Sequence, residues 1–334
     1  MQRWNIAITG LGAIGRTIAG LLAERRAHYA QRYDADVRLT AVCGSRAGRY
    51  APDGLQGPYT REHLTLQPGL TGTAFIEQTN AKVLIDAGPT DYDTGGAAYA
   101  YLRSALSRGV HAIAVSKGAL IFDLKGLRAL AAANDVALKF SGATAAALPT
   151  LDLIQHNLAG CRVLKVEGIF TATTNYILSR MMDGVPLSDA LLEAQQRGMA
   201  EPDPRFDMEG WDTACKTVLI ANAALDADLT LTDIHREGID HLTQRDVEAW
   251  KAAGVVPKLI GEIVCDEEGG QRVRASVALR TFAHDHPFAQ VGASMKAISV
   301  HTDAMGEVTA LCRTSPLATA AAALKDFEHI LMGR

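Results

Sequence analysis

Five carboxylates and a lysine crowd into EPDPRFDMEGWDTACK, from Glu201 to Lys216: Glu201, Asp203, Asp207, Glu209 and Asp212, then Lys216 itself. Acids and a base this close can bind a small cationic substrate and move a proton. After Gly210 the run WDTACKTVLIANAAL sets apolar and small residues at helical spacing, which predicts a helix beginning near Trp211. Asp212 and Lys216 then lie one turn apart on one face. On a wet helix such a pair contributes only about 0.3–0.5 kcal/mol, and that is its plain reading. The rest of this helix is almost wholly apolar, however, which places the pair at a buried or cleft-facing end. A lysine in such surroundings can serve as an acid or base.

The elements around this stretch need more than one domain. A chain of 334 residues suits two, with ample core for each. Hydrophobic residues at 48% and charged residues at 21% are ordinary for a globular protein. A net charge of −4 gives no reason to expect nucleic acid or a membrane surface as partner. The N-terminus, MQRWNIAITG, enters a strand and a turn without a signal peptide, and no apolar run is long enough to span a bilayer, so a cytoplasmic location is expected. Five widely spaced cysteines (Cys43, Cys161, Cys215, Cys265, Cys312) lack a CxxC pair and read as buried free thiols. His284 and His286 read as part of a polar turn, and no metal site is expected.

In the first half, an apolar run at 4–9 leads into Gly10-Leu-Gly12-Ala13-Ile14-Gly15 and then RTIAGLLAERR. Strand, glycine turn and helix in this order form a dinucleotide fingerprint. Gly10 permits the turn, Gly12 admits a pyrophosphate, Gly15 lets helix and strand pack, and the helix N-terminus attracts the anion. A second strand ends near Cys43. An NAD site would carry an acid there for the ribose hydroxyls, whereas this chain has Ser45, Arg46 and Arg49. Two arginines suit a 2′-phosphate, so NADP is expected ahead of NAD. Further strands are predicted at 82–88, 111–115 and 136–140, with helices at about 94–108 and 123–134. The alternation argues a doubly wound parallel sheet of Rossmann type. Thr90, Ser116 and Lys117 follow strand ends, where ligands of such sheets bind.

Past Pro149 the pattern changes. A strand is predicted over 161–170, then a helix over 171–182 capped by Thr or Asn, another helix over 187–198, and the Asp212/Lys216 helix. Two antiparallel hairpins follow, turning at DEEGGQ (266–271) and DAMGE (303–307). The second domain is thus α+β with a mainly antiparallel sheet, and its open face is expected to pair with a second copy in a homodimer. The expected organisation is a cofactor domain at 1–149, a catalytic and dimerisation domain at 150–312, and a C-terminal helix at 313–334 returning to the first domain.

The chain resembles homoserine dehydrogenase over nearly its whole length. The likeness is carried by GLGAIG (10–15), PTDYDTG (89–95), SKG (116–118), EGIFTATTNYIL (167–178) and EPDPRFDMEGWDTACK (201–216). SRAGRYAPDGL looks like the short, single-function branch. The resemblance implies hydride exchange between NADP and a small amino-acid alcohol, L-homoserine, to give L-aspartate 4-semialdehyde, on the way to threonine and methionine. It implies Lys216 as acid/base with Asp212 beside it, Glu201 for the substrate's amino group, Asp207 and Thr173 at the substrate, Lys117 between nicotinamide and substrate, and Thr90 at the cofactor. Three segments depart from the family pattern. Thr171 and Ala172 stand where it has Asn and Gly, Gly142 stands where a glutamate serves a monovalent cation, and Arg313–Pro316 replaces a glycine-rich loop. These departures leave open a related enzyme acting on another small hydroxy acid or amino alcohol, and a non-catalytic NADP-binding sensor.

Overall fold

The computed structural model describes residues 1–60, 62–200, 203–266 and 272–333. The chain divides into two compact units, Met1–Ala147 with Ser315–Arg334, and Leu148–Thr314.

The first unit is built on a seven-stranded sheet ordered β4-β3-β2-β1-β5-β6-β7. Its strands are β1 (Gln2–Thr9), β2 (Ala35–Cys43), β3 (Ala47–Tyr50), β4 (Gln67–Pro68), β5 (Val83–Asp86), β6 (His111–Ala114) and β7 (Leu138–Lys139). From β2 through β1 and β5 to β7 the pairing is parallel. Every residue of β5 is buried, as befits a strand covered by helices on both faces. The C-terminal helix, Pro316–Leu331, belongs to this unit and sends Ala320, Ala323, Leu324 and Phe327 into a core with Ile6, Ile18, Leu22 and Tyr29.

Four features of this unit differ from the sequence-based expectation. The sheet is not wholly parallel, because β3 and β4 fold back antiparallel on β2. The first helical stretch is two helices, Ala13–Glu24 and Arg26–Tyr33, parted where Arg25 leaves helical ψ. The helix expected from 123 starts at Gly118 and kinks at Asp123, whose Oδ1 accepts from Gly126 N and caps the second segment. The strand expected over 136–140 is cut to two residues. After it, Ser141 donates through its backbone N–H and hydroxyl to Asp326 of the C-terminal helix, pulling the chain out of the sheet.

The second unit carries a six-stranded sheet ordered β13-β12-β8-β10-β11-β9. Its strands are β8 (Val163–Ile169), β9 (His235–Arg236), β10 (Val255–Cys265), β11 (Val273–Ala283), β12 (Met295–Thr302) and β13 (Gly306–Arg313). Both expected hairpins form, with Val255 opposite Ala283 and Met295 opposite Arg313. Most of the first hairpin's turn, 267–271, lies outside the described residues. The helix Trp211–Ala224 packs on one face, where Gly261 has room for no side chain because a Cβ would overlap Thr217 Oγ1. The other face bears a ladder of charge in which Lys165 bridges Glu167 and Glu262, and Arg280 bridges both again. Beside that ladder the segment after β11 covers the sheet, with Phe288 and Val291 against Ile169, Ile260 and Ala297. The helix Gln244–Ala253, held by a Thr243/Asp246 capping box, was not anticipated.

No helix of the described residues is long and apolar enough to cross a membrane. None of the five cysteines forms a disulfide, but only Cys43 and Cys215 are buried; Cys161, Cys265 and Cys312 are half-buried, which corrects the expectation for those three.

Candidate active site

The helix predicted to start near Trp211 does so, and its first two turns carry the acid and base inward. Asp212 and Lys216 are each only 8% exposed. Lys216 Nζ lies 2.5 Å from Asp212 Oδ2 and donates to Phe170 O at 3.0 Å. Phe170 and Thr171 form the junction where β8 ends and the helix Ala172–Met182 begins. Thr171 occupies the cap position but its hydroxyl makes no cap bond. It donates instead to Asp212 Oδ2 at 2.7 Å and accepts from Thr213 Oγ1 at 3.0 Å. The junction therefore holds the pair twice, by a carbonyl on the lysine and a hydroxyl on the aspartate.

An ammonium has three N–H donors and no acceptor. Two of those on Lys216 are engaged by Asp212 and Phe170, and the third has no partner among the described residues. Because both fixed partners are set by backbone or by a neighbouring turn, the remaining direction is set as well. The group can deliver or receive one proton along one line.

The other residues expected at the substrate are less drawn in. Glu201 lies outside the described residues. Asp207 is half-buried on the short helix Arg205–Met208, just ahead of Trp211. Thr173 is buried, with its hydroxyl on Met199 O at 2.8 Å, so its contact is with the chain leading to the acidic loop. The loop is strapped from β9: Arg236 stacks over Trp211 at 3.7 Å and donates to Glu209 O, while Trp211 Nε1 donates to the Glu209 carboxylate at 3.1 Å.

In the first unit the glycine turn has the form the fingerprint requires. Gly10 adopts φ +91°, a left-handed backbone that favours glycine, and a Cβ on Gly15 would overlap Gly10 O. A Cβ on Gly12 would meet nothing within 4 Å, so this backbone faces open space at the start of the Ala13–Glu24 helix, with Ala13 exposed and Ile14 half-buried. These residues fit a dinucleotide's pyrophosphate. Ser45, Arg46 and Arg49 are all exposed beyond and beside the end of β2. Thr90 and Lys117 are half-buried, and a Cβ on Gly118 would overlap Asp91 backbone, so the Ser116–Gly118 turn packs on the loop that carries Thr90.

Two residues here were not picked from the sequence. Asp86, at the end of β5, is buried and accepts from Thr9 Oγ1 at 2.8 Å and from Ser116 Oγ, bracing the residue before Gly10 and the residue before Lys117. Burial pushes its carboxyl pKa up, and those hydroxyls together with Gly88 N–H pull the other way. Lys258, on β10, is 3% exposed and donates to Asn175 Oδ1 and Val291 O, both at 2.8 Å. Burial lowers its pKa from 10.5 to about 8.

Two family models match the chain. One, described as homoserine dehydrogenase, covers residues 149–327, and the other, described as homoserine dehydrogenase, NAD binding domain, covers residues 10–141. The NAD(+)-dependent homoserine dehydrogenase of Pseudomonas canavaninivorans is 32% identical, with 99% of this chain and 97% of that protein aligned. The homoserine dehydrogenase of Methanocaldococcus jannaschii is 28% identical, with 98% of each covered. Among solved structures, one from Archaeoglobus fulgidus assigned as a homoserine dehydrogenase superposes with a TM-score of 0.86 at 31% identity, covering 98% of this chain and 99% of that one.

Proposed function

Since the chain belongs to the homoserine dehydrogenase family, NAD(P)-dependent oxidoreductases acting on a hydroxyl group, we propose that it interconverts L-homoserine and L-aspartate 4-semialdehyde with Lys216 as acid and base. The observation that carries this reading is the buried lysine whose ammonium has two donors engaged by Asp212 and Phe170 and a third with no partner among the described residues.

A nicotinamide dinucleotide, its pyrophosphate held by the Gly10–Gly15 turn, would supply the hydride exchange at carbon. The chain's own work is on oxygen. In reduction, Lys216 donates its unengaged proton to the oxygen as charge develops there. In oxidation the uncharged amine keeps its two N–H bonds to Asp212 and Phe170, so its lone pair lies along the open direction and takes the alcohol proton. Asp212 compensates the charge that appears on Lys216. Glu201 and Asp207 are assigned to the substrate's ammonium, and Thr173 to the segment beside them. Ser116 and Thr90 are assigned to the cofactor, and Lys117 both to the cofactor and to electrostatic stabilisation of the reacting oxygen.

For the cofactor we propose NADP ahead of NAD. Ser45, Arg46 and Arg49 are exposed after β2, and residues 43–50 contain no carboxylate. The Pseudomonas relative's name supports the second reading, NAD. The ratio of kcat/KM for the two cofactors decides between them, and Arg46→Glu is expected to reverse an NADP preference. We also propose that the charged face of the second sheet pairs two copies of the chain, which light scattering would test.

The central test follows cofactor reduction with L-homoserine beside a panel of 3- and 4-hydroxy acids. Homoserine is expected to turn over fastest. A tenfold better substrate elsewhere on the panel would overturn the substrate, and Lys216→Ala retaining the rate within a few-fold would overturn the acid/base role.

A further inference from the structure

We propose that Thr171 is a positioning residue of this enzyme, holding the Asp212 carboxylate in place and anionic while Lys216 is uncharged. The proposal rests on the acid/base reading of Lys216 given above. Thr171 Oγ1 and Lys216 Nζ both bond the same oxygen, Asp212 Oδ2, at 2.7 and 2.5 Å. When Lys216 is an ammonium, its charge compensates that carboxylate. In the alcohol-oxidising direction the amine must begin neutral, and a buried carboxylate then loses its compensating charge. Two outcomes would spoil the reaction: the carboxylate could swing out of place, or it could take up the proton meant for the amine. A hydroxyl donor on the same oxygen opposes both, because it bonds the ionised form and fixes its direction.

The hydroxyl is itself held. Thr213 Oγ1 donates to Thr171 Oγ1 at 3.0 Å, which occupies a lone pair and leaves the Thr171 proton to go to Asp212. Thr171 and Thr213 are 3% and 1% exposed, so water does not readily replace either. The backbone beneath is committed too: Thr171 O accepts from Thr174 Oγ1 at 3.2 Å, and the preceding carbonyl, Phe170 O, is the second partner of Lys216. A side chain expected to cap a helix thus forms a relay, Thr213 to Thr171 to Asp212, behind the acid/base pair.

The test compares Thr171→Val, which keeps the shape and removes the hydroxyl, with Thr171→Ser, which keeps the hydroxyl. With homoserine as substrate, Thr171→Val is expected to lower kcat about 10- to 30-fold, the range for one charge-assisted hydrogen bond, while KM for homoserine stays within about threefold. Thr171→Ser is expected within about twofold of the parent. In an Asp212→Asn background the loss from Thr171→Val is expected to shrink to about twofold, because the group it acts through is gone. Unchanged kcat in Thr171→Val, a Ser variant as poor as the Val variant, or an undiminished loss beside Asp212→Asn would each overturn the proposal. Should Thr171→Val not fold, Thr213→Val removes the rear hydroxyl, and a kcat loss of at least about threefold is required of it. Lys216→Ala, run in parallel, separates the two readings. If it is inactive while Thr171→Val is normal, only the role of Thr171 falls; if it is active, the acid/base reading falls and this proposal with it.

Discussion

Two lysines of the second unit are buried to nearly the same degree, and they differ in what they touch. Lys216, on the Trp211–Ala224 helix, meets the Asp212 carboxylate and one carbonyl. Lys258, on β10, meets an amide oxygen and a carbonyl, both neutral. Asn175, its amide partner, in turn donates to Gly292 O at 2.8 Å and Met295 O at 3.1 Å, so Lys258 sits in a hub that pins the segment between β11 and β12. Burial alone therefore does not make a lysine a catalyst. A reacting lysine needs a counter-charge that survives proton exchange and a direction left open. Lys216 meets both conditions, as the role proposed for it requires, whereas Lys258 has the burial and the hydrogen bonds of a structural brace.

The largest effect expected from this contrast is on turnover. Lys216→Ala should lower kcat by roughly a hundred- to ten-thousand-fold with homoserine, the range for loss of a general acid or base. Steady-state kinetics of this variant beside Lys258→Met is the sharpest comparison, and an equal fall in both would erase the distinction.

A smaller effect is expected in stability against pH. The pKa of Lys258 is lowered from 10.5 to about 8 by burial. Below pH 8 the group is charged in folded and unfolded chains alike, and the folded state bears the whole cost of the buried charge. Between about pH 8 and 10.5 the unfolded chain binds the extra proton, so stability rises with pH. Above that window both forms are neutral and the cost is gone. The full span is at most about 3 kcal/mol, and less where the two hydrogen bonds stabilise the ammonium. Urea unfolding at pH 7.5 and at pH 10 should show this rise in the parent and lose it in Lys258→Met, in which nothing at this position titrates. A rise of equal size in both would assign it to other groups.

The difference in partners also explains what could be read in advance. Asp212 and Lys216 are neighbours through a helical turn, and the glycine turn at 10–15 follows its strand directly. Both are local patterns, and both formed where expected, as did the hairpins. Lys258 shares its strand face with Ile260 and Glu262, and a lysine beside a glutamate on a strand reads as solvated. Its burial comes from residues 284–294 folding over that face, which no local pattern reports. A Thr or Asn was expected to cap this helix, and Thr171 took that position, yet its hydroxyl found Asp212, 41 residues further on. Asp86 looked like the polar end of a strand, and its two hydroxyl partners come from opposite sides of the sequence. The edge strands β3 and β4 escaped because four and two residues carry no alternation that could be recognised.

The smallest effect expected is the one that makes the contrast specific. Lys258→Met keeps the stem's volume and removes the charge, leaving Asn175 Oδ1 and Val291 O without their donor. Those two groups stabilise less once unpaired, by about 1–3 kcal/mol each, against which stands relief of the buried charge, so the net change near pH 8 should be modest. The path from there to the acid/base pair runs through the helix Ala172–Met182, because Asn175 N donates to Thr171 O at 3.4 Å. That long bond transmits little, and Thr171 is held on its other side by Thr213 and Asp212. The kcat of Lys258→Met at pH 8 is therefore expected within about threefold of the parent, under 1 kcal/mol in barrier. A larger fall, with the protein still folded by circular dichroism, would show that the brace and the catalytic pair are one cooperative network and that separating the two lysines by function is wrong.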